Sequence, residues 1–414
     1  MIVRAKYALL GPGEVRRDVR LEIDGGRIVA LHCGYNPHEL QADYDLGTAV
    51  ITPGWVNAHT HLELEFCLGA VPEFSGFIDW LQKIRDLKRE RGNRGTTMPE
   101  RSLRHLAATG CTTVIDHHTG DLEWDAIDAV GLRYLPFREF FEFNNHSPDF
   151  ADMRSRVRRG YAAHSPYTTS IEMALACRQL ADESKLPLSL HLAETPSEVE
   201  FMLEGYNDEI VTLLKRAHAY DEDWRGSARS PVRYYADHGV LNGPTFAIHL
   251  NYPQEGDIPI LADLKPTVVM CPATHAYFRH TTHPIADYLA AGIPVALGTD
   301  SLASNSELAP VREAHLLSEQ YPQIPLAQIF SALTDASLHQ LGLNTQLGRL
   351  EPGYLADFAV YQFDADPLQG VQRLGEGSFE QLFRAVLQRG RAALTVAGGK
   401  VIHAPAEAEW REAA

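Results

Sequence analysis

From Val50 onward the chain repeats one unit, in which a short β-branched or apolar run ends in polar residues and gives way to a stretch of helical periodicity. The runs end at VITPGWVNAHTH, TTVIDHH, LRYLPFREF, RGYAAHSPY, LPLSLHLAE, TFAIHLNY, TVVMCPATH and IPVALGTDS. Parallel strands need crossover helices, and eight of them close into a barrel filled by its own side chains. The pattern therefore predicts an α/β fold, a distorted (β/α)8 TIM barrel.

A barrel of ~250 residues leaves part of the 414-residue chain to explain. Residues 1–52 contain EVRRDVRLEIDGGRIVAL, alternating residues around an Asp24-Gly25-Gly26 turn, which is a hairpin signal. After Gly348, LADFAVYQF and RAALTVAGGKVIH read as short strands separated by glycines. Neither end alone has enough strands to bury a sheet face, so the two are expected to combine into one small β domain. The expected division is 1–52 and 345–414 for that domain and 53–344 for the barrel. Between barrel units, FIDWLQKIRDLKRERG has an apolar helical stripe and Ser170 opens SIEMALACRQLADESK. One connection, from Glu204 to Leu241, is too long for an ordinary loop and is expected to form an insertion or lid.

Composition narrows the partners. A net charge of −17 disfavours phosphate backbones and anionic membranes, so nucleic acid and membrane are not expected partners. No apolar run approaches the ~20 residues of a membrane span. The opening MIVRAKYALLGPGEV reads as a strand rather than a signal peptide, and five scattered cysteines without a CxxC pair fit reduced thiols, so the expected location is cytoplasmic. A homo-oligomer is compatible with the sequence.

Position separates the informative histidines from the rest of the 19. His59 and His61 alternate by two after the first strand, so in extended backbone both face the same way. His191 ends the fifth strand and Asp300 the eighth, which brings four donors to the carboxyl ends of barrel strands, where barrel active sites lie. Such a set suits one divalent metal. Glu194, three residues beyond His191, is placed to reach a metal-bound water, and His249 at the end of the sixth strand is placed to orient it.

VNAHTHLE, SLHLAET, AIHLN and GTDSLASN resemble the strand-end motifs of the amidohydrolase superfamily, in its cytosine deaminase and S-adenosylhomocysteine deaminase branch. IDGGRIVAL, GRLEPGYLADFAVY and VAGGKVIH are similar to the composite β domain that flanks the barrel there, so the resemblance covers nearly the whole chain. It implies that His59, His61, His191 and Asp300 hold one ion, zinc or iron, that Glu194 shuttles protons and that His249 positions the nucleophilic water. Relatives with two metals use a lysine from the fourth strand, and RRGYAAHSPY has none, so a single-ion site is expected.

Within the branch, NAHTHLELE, FIDWL and CPATHAYFRH resemble aminodeoxyfutalosine deaminases of menaquinone biosynthesis. That resemblance implies attack of metal-bound hydroxide on the amine-bearing carbon of an adenine, protonation of the ring nitrogen by Glu194, and help from catalytic Asp300 as ammonia leaves. It also implies a benzoate on the nucleoside substrate, and hence a nearby cation. The candidates for recognition are His164 facing the ribose, Trp80 and Phe77 over the base, Ser301 beside Asp300, and Arg279, with His280 or Arg138, for a carboxylate. Phe77, Trp80 and Ile84 also fit an ordinary amphipathic stripe. The Asp116-His117-His118 cluster reads as support rather than ligand. Alternative activities are deamination of S-adenosylhomocysteine or methylthioadenosine, hydrolysis of a chlorinated triazine and, in another class, a non-catalytic barrel scaffold. The HxE and PCxxC signature of the base-editing zinc deaminases is absent.

Overall fold

The computed structural model describes residues 1–34, 42–71, 76–91, 100–120, 124–141, 153, 160–375 and 377–404. All eight predicted runs are strands of one parallel sheet. They are β6 (Trp55–Thr60), β7 (Cys111–His118), β8 (Arg133–Phe140), β9 (Gly160–Ala163), β10 (Leu188–Leu192), β11 (Thr245–His249), β12 (Thr267–Met270) and β13 (Val295–Leu297). They lie side by side in chain order, as right-handed crossover connections require. The last strand returns to the first through a parallel bridge between Thr60 and Asp300, with Asp300 N donating to His59 O at 3.1 Å. Gly298 permits that approach, because a Cβ there would lie 2.8 Å from His59 Cβ.

Both ends of the chain build a second sheet. Its strands are β1 (Ile2–Gly11), β2 (Glu14–Asp24), β3 (Arg27–Cys33), β4 (Tyr44–Asp45) and β5 (Ala49–Pro53) from the start, with β14 (Phe358–Gln362), β15 (Leu394–Ala397) and β16 (Lys400–His403) from the end. The order is β16-β15-β14-β5-β1-β2-β3, with β4 on β1, so β14 pairing antiparallel with β5 is what joins the two ends. The expected hairpin is β2–β3, turning at Gly25 and Gly26. The last ten residues of the proposed C-terminal part lie outside the described residues.

One aromatic junction fastens the barrel to the terminal sheet. Trp55 on β6 is fully buried, meets Phe330 edge-on with centroids 5.5 Å apart, and donates its indole N–H to the Tyr361 hydroxyl on β14. Tyr361 passes the chain on by donating to Thr109 O at 2.8 Å. Burying two large rings is favourable only because their polar tips find partners.

The helical readings hold at their starts. Ser170 caps the Ile171–Ser184 helix by accepting from Met173 N, and the Phe77–Arg91 segment is helical throughout. The long connection is structured: helices Asp208–Arg216 and Pro231–Asp237 fill it. Among the described residues, no helix is long and apolar enough to cross a membrane.

Candidate active site

Strand pairing alone brings the four predicted donors together. The His59 and His61 rings are 4.8 Å apart at centroids, and His59 and His191 are 5.0 Å apart. Asp300 Oδ1 lies 3.8 Å from His59 Nε2 and 3.9 Å from His61 Nε2. Three overlapping triplets have the spacing of a metal site: His59, His61 and Asp300; His59, His191 and His249; and His61, Glu139 and His191. The backbone is bent to form this ring. Of the ten non-glycine residues with positive φ among those described, Ala193, His249, Leu250 and Asp300 sit at its strand ends, a conformation tolerated where the surroundings enforce it.

The outer faces of the imidazoles are also organised. His59 Nδ1 lies 3.0 Å from His117 Nδ1, whose Nε2 in turn lies 2.7 Å from Ser189 Oγ. His191 Nδ1 faces the His164 carbonyl at 3.1 Å. Each contact engages Nδ1 and leaves Nε2 for the ring centre. Asp116 accepts from Leu62 N at 2.8 Å and from the Tyr134 hydroxyl, fixing the backbone just after His61, while His118 Nδ1 binds Gly120 O at 2.8 Å. His117 thus backs His59 and Asp116 the backbone after His61, whereas His118 is tied to Gly120.

Electrostatics match the geometry. Burial, followed by the neighbouring His117 charge, pushes His59 far below its usual value. Burial takes His61 down to about 3 and His191 to about 4. These are neutral imidazoles, the form that coordinates a metal. Burial moves Asp300 up to about 6 against the donors Thr274, Ser304 and Ser301 N.

Glu194 and His249 face each other across the same ring, with Glu194 Oε1 at 3.5 Å from His249 Nε2. Burial, then the charges of Asp300 and Glu198, raises the Glu194 carboxyl well above its usual value. Burial, then His191, lowers His249 well below its own. Glu194 is held from behind by a residue the sequence reading passed over. Glu198 accepts from Ala193 N and Glu194 N, both at 2.8 Å, while Thr195 Oγ1 caps the following helix by accepting from Glu198 N at 3.1 Å. The signal was present, since Thr195-Pro-Ser-Glu198 is a capping-box spacing.

Above the ring opens a cavity of about 530 Å³. His61, His191, Glu194, His249, Asp300 and Ser301 form its floor. One wall is a face of the Phe77–Arg91 helix, which presents Phe77, Trp80, Leu81, Ile84, Arg85 and Lys88 at helical spacing. Trp80 is pinned to the barrel by donating its indole N–H to Ala303 O at 2.8 Å, and it meets Phe278 edge-on at 5.1 Å. His164 lines the cavity opposite, its Nδ1 2.6 Å from Thr168 Oγ1. The insertion contributes Leu213 and Ala217, so it is part of the wall.

The expected cations are the exception. Arg279 is exposed and is not among the cavity residues, and neither are His280 or Arg138. His280 Nδ1 meets Tyr252 OH at 3.0 Å, and Arg138 donates to Gly120 O at 2.6 Å. The cations in the wall are Arg85 and Lys88. Lys88 donates to Glu63 at 2.9 Å, and this cation, with the Thr119 donors, outweighs burial and holds Glu63 down at about 2. Among the described residues no carboxylate pairs with Arg85 within 4 Å.

A model of the amidohydrolase family matches residues 50–402. The 5-methylthioadenosine/S-adenosylhomocysteine deaminase of Nitratidesulfovibrio vulgaris is 29% identical over 357 residues, 79% of this chain and 74% of that protein. The aminodeoxyfutalosine deaminase of Deinococcus radiodurans is 29% identical over 317 residues, 69% of this chain and 73% of that protein. Among solved structures, Helicobacter pylori aminofutalosine deaminase in complex with methylthio-coformycin aligns with a TM-score of 0.80 at 20% identity, covering 97% of this chain and 99% of that one.

Proposed function

The chain belongs to the amidohydrolase family, and from that premise we propose that it is a metal-dependent hydrolytic deaminase of an adenine-containing nucleoside, with aminodeoxyfutalosine as its substrate. The observation that carries this reading is the clustering of four metal-type donors, three of them (His61, His191 and Asp300) on the cavity floor, with Glu194 held 3.5 Å from His249. Within that reading His59, His61, His191 and Asp300 hold one divalent ion. The donor set fits: three neutral imidazoles and a carboxylate suit zinc or iron. His59 Nε2 is buried and without a hydrogen-bond partner, a costly vacancy in bonding unless it ligates. A divalent ion here supplies the Lewis acidity that activates water near neutral pH.

The chain's own groups do the rest. Glu194, whose carboxyl favours the protonated form, delivers its proton to the ring nitrogen beside the amine-bearing carbon and, as the carboxylate so formed, takes up the proton of the attacking water. His249, uncharged, holds the water on line from Nε2. Asp300 passes a proton to the departing nitrogen, so water plus aminopurine gives oxopurine plus ammonia. Trp80 and Phe77 cover the base and exclude bulk water, His164 meets the ribose, and Ser301 lines the floor beside Asp300.

Arg85 favours the finer assignment: Lys88, the other cation of the wall, is bound to Glu63, whereas among the described residues no carboxylate pairs with Arg85, which suits a carboxylate on the far end of the nucleoside. A second reading, deamination of methylthioadenosine or S-adenosylhomocysteine, is favoured by the equal identity of the relative so named. Ammonia release from aminodeoxyfutalosine, S-adenosylhomocysteine, methylthioadenosine, adenosine, cytosine and guanine decides between them. Aminodeoxyfutalosine is expected to be the best substrate, and a preference for a plain pyrimidine would overturn the nucleoside assignment.

A further inference from the structure

Glu139 stands in the ring without a part in the chemistry above. It lies near the end of β8, its side chain is 2% exposed, and its Oε1 has no hydrogen-bond partner. Oε2 is 3.7 Å from His61 Nδ1 and Oε1 is 3.8 Å from His191 Nδ1. His61 therefore stands between two carboxylates, Asp300 beyond Nε2 and Glu139 beyond Nδ1. The His117 backbone carbonyl also bonds the His61 ring, and His191 Nδ1 has the His164 carbonyl, so neither imidazole needs Glu139 simply to satisfy a proton.

A dry carboxylate with an unmatched oxygen is costly unless a positive charge compensates it. No lysine or arginine pairs with Glu139 within 4 Å among the described residues. Three neutral imidazoles and Asp300 would leave a divalent ion with one uncompensated positive charge, and Glu139, behind two of its ligands, is a carboxyl that such a charge would hold ionised. Carboxylates behind ligand histidines fix the tautomer and ring orientation and make the imidazole a better donor.

We propose that Glu139 is a positioning residue for the metal, acting through His61 and His191: it keeps their Nε2 atoms turned to the ion and brings the site to charge neutrality. The inference rests on the metal reading of the four-donor cluster. It is tested by titrating Zn²⁺ into the chelator-stripped full-length chain against a chromophoric chelator, for the parent and Glu139→Gln, with urea unfolding of both metal-free proteins alongside. The expected result is one equivalent of Zn²⁺ in each, bound roughly 10- to 100-fold more weakly by the variant, with no loss of metal-free stability. Unchanged affinity overturns the proposal. So does an affinity loss matched by a loss of metal-free stability, which would mark a packing role. Two equivalents in the parent and one in the variant also overturn it, by making Glu139 a ligand of a second ion. Should Glu139→Gln fail to fold, Glu139→Asp, with the charge withdrawn by one methylene, is held to the same criteria. A parent that takes up no Zn²⁺ sinks the metal reading itself, a result distinct from all of these.

Discussion

The floor and the wall of the cavity are held by different kinds of structure. The floor residues sit at or just beyond the ends of β-strands, so their places follow from the register of the barrel: once Thr60 pairs with Asp300, the His61 and Asp300 side chains, with the buried His59, have little freedom left. The wall is a helix that leans on the barrel through side chains, chiefly Trp80 donating to Ala303 O and packing against Phe278. A floor made by backbone hydrogen bonds holds its side chains in register, which suits catalysis because a misplacement of about 1 Å can cost roughly 10²-fold in rate. A wall made by side-chain packing can change its chemistry without disturbing the floor. Floor substitutions should therefore act on turnover, and wall substitutions on which substrate binds.

The largest expected effect lies on the floor. Glu194→Ala should lower kcat by roughly 10²- to 10⁴-fold while metal content, measured by elemental analysis, stays at the parental level. Full activity in that variant would remove Glu194 from the mechanism and break the distinction between floor and wall. His61→Ala is expected to lose activity and bound metal together, because it takes away a donor and not a proton carrier. Separating the two variants by metal content is what tells the proton path from the ion.

On the wall, Arg85→Ala should raise KM for an anionic nucleoside by roughly 10- to 100-fold, the value of one charge-assisted hydrogen bond. For methylthioadenosine, which offers no anion, the same change should leave kcat and KM nearly as they were. Equal losses on both substrates would mean that Arg85 supports the helix rather than reading the ligand, and would blur the comparison.

The floor was legible in the sequence for the same reason that it is rigid. A strand end followed by a polar residue is a local pattern, and eight of them in chain order leave one way to close the sheet. The two terminal segments were legible because each was too short to bury a sheet face alone. The wall was not legible in the same way. Arg279 and Arg85 are both arginines near helix-like stretches, and only the docking of the Phe77–Arg91 helix decides that Arg85 lines the cavity while Arg279 faces solvent. Glu139 was hidden for a different reason. In LRYLPFREF it reads as one polar residue at a strand end, and its meaning comes from His61 and His191, which lie on other strands. Glu198 was the nearest miss, since its capping-box spacing is local, but its carboxylate serves the backbone of Glu194 as well as the helix.

Glu198 also gives the smallest and most specific of these predictions. Burial lifts its carboxyl to about 7 against the opposing N–H donors of Glu194, Ala193 and Thr195. Between its ordinary value near 4.5 and about 7, the native chain therefore holds a proton that the unfolded chain has released. Stability must then fall as pH rises through that window, by up to about 3 kcal/mol, and level off above it. Urea unfolding of the metal-free protein at pH 5, 6, 7 and 8 should show this slope in the parent and a shallower one in Glu198→Gln, whose amide does not titrate. The difference between the two curves isolates Glu198 from other buried carboxyls that are raised as well, among them Asp116, Glu139, Glu194, Asp300 and Glu313. Because the Gln side chain keeps only one acceptor for two backbone N–H groups, the variant should also lose part of kcat through a displaced Glu194. A parallel pH slope in both proteins, with kcat unchanged, would mean that Glu198 merely caps its helix and that the floor is rigid without it.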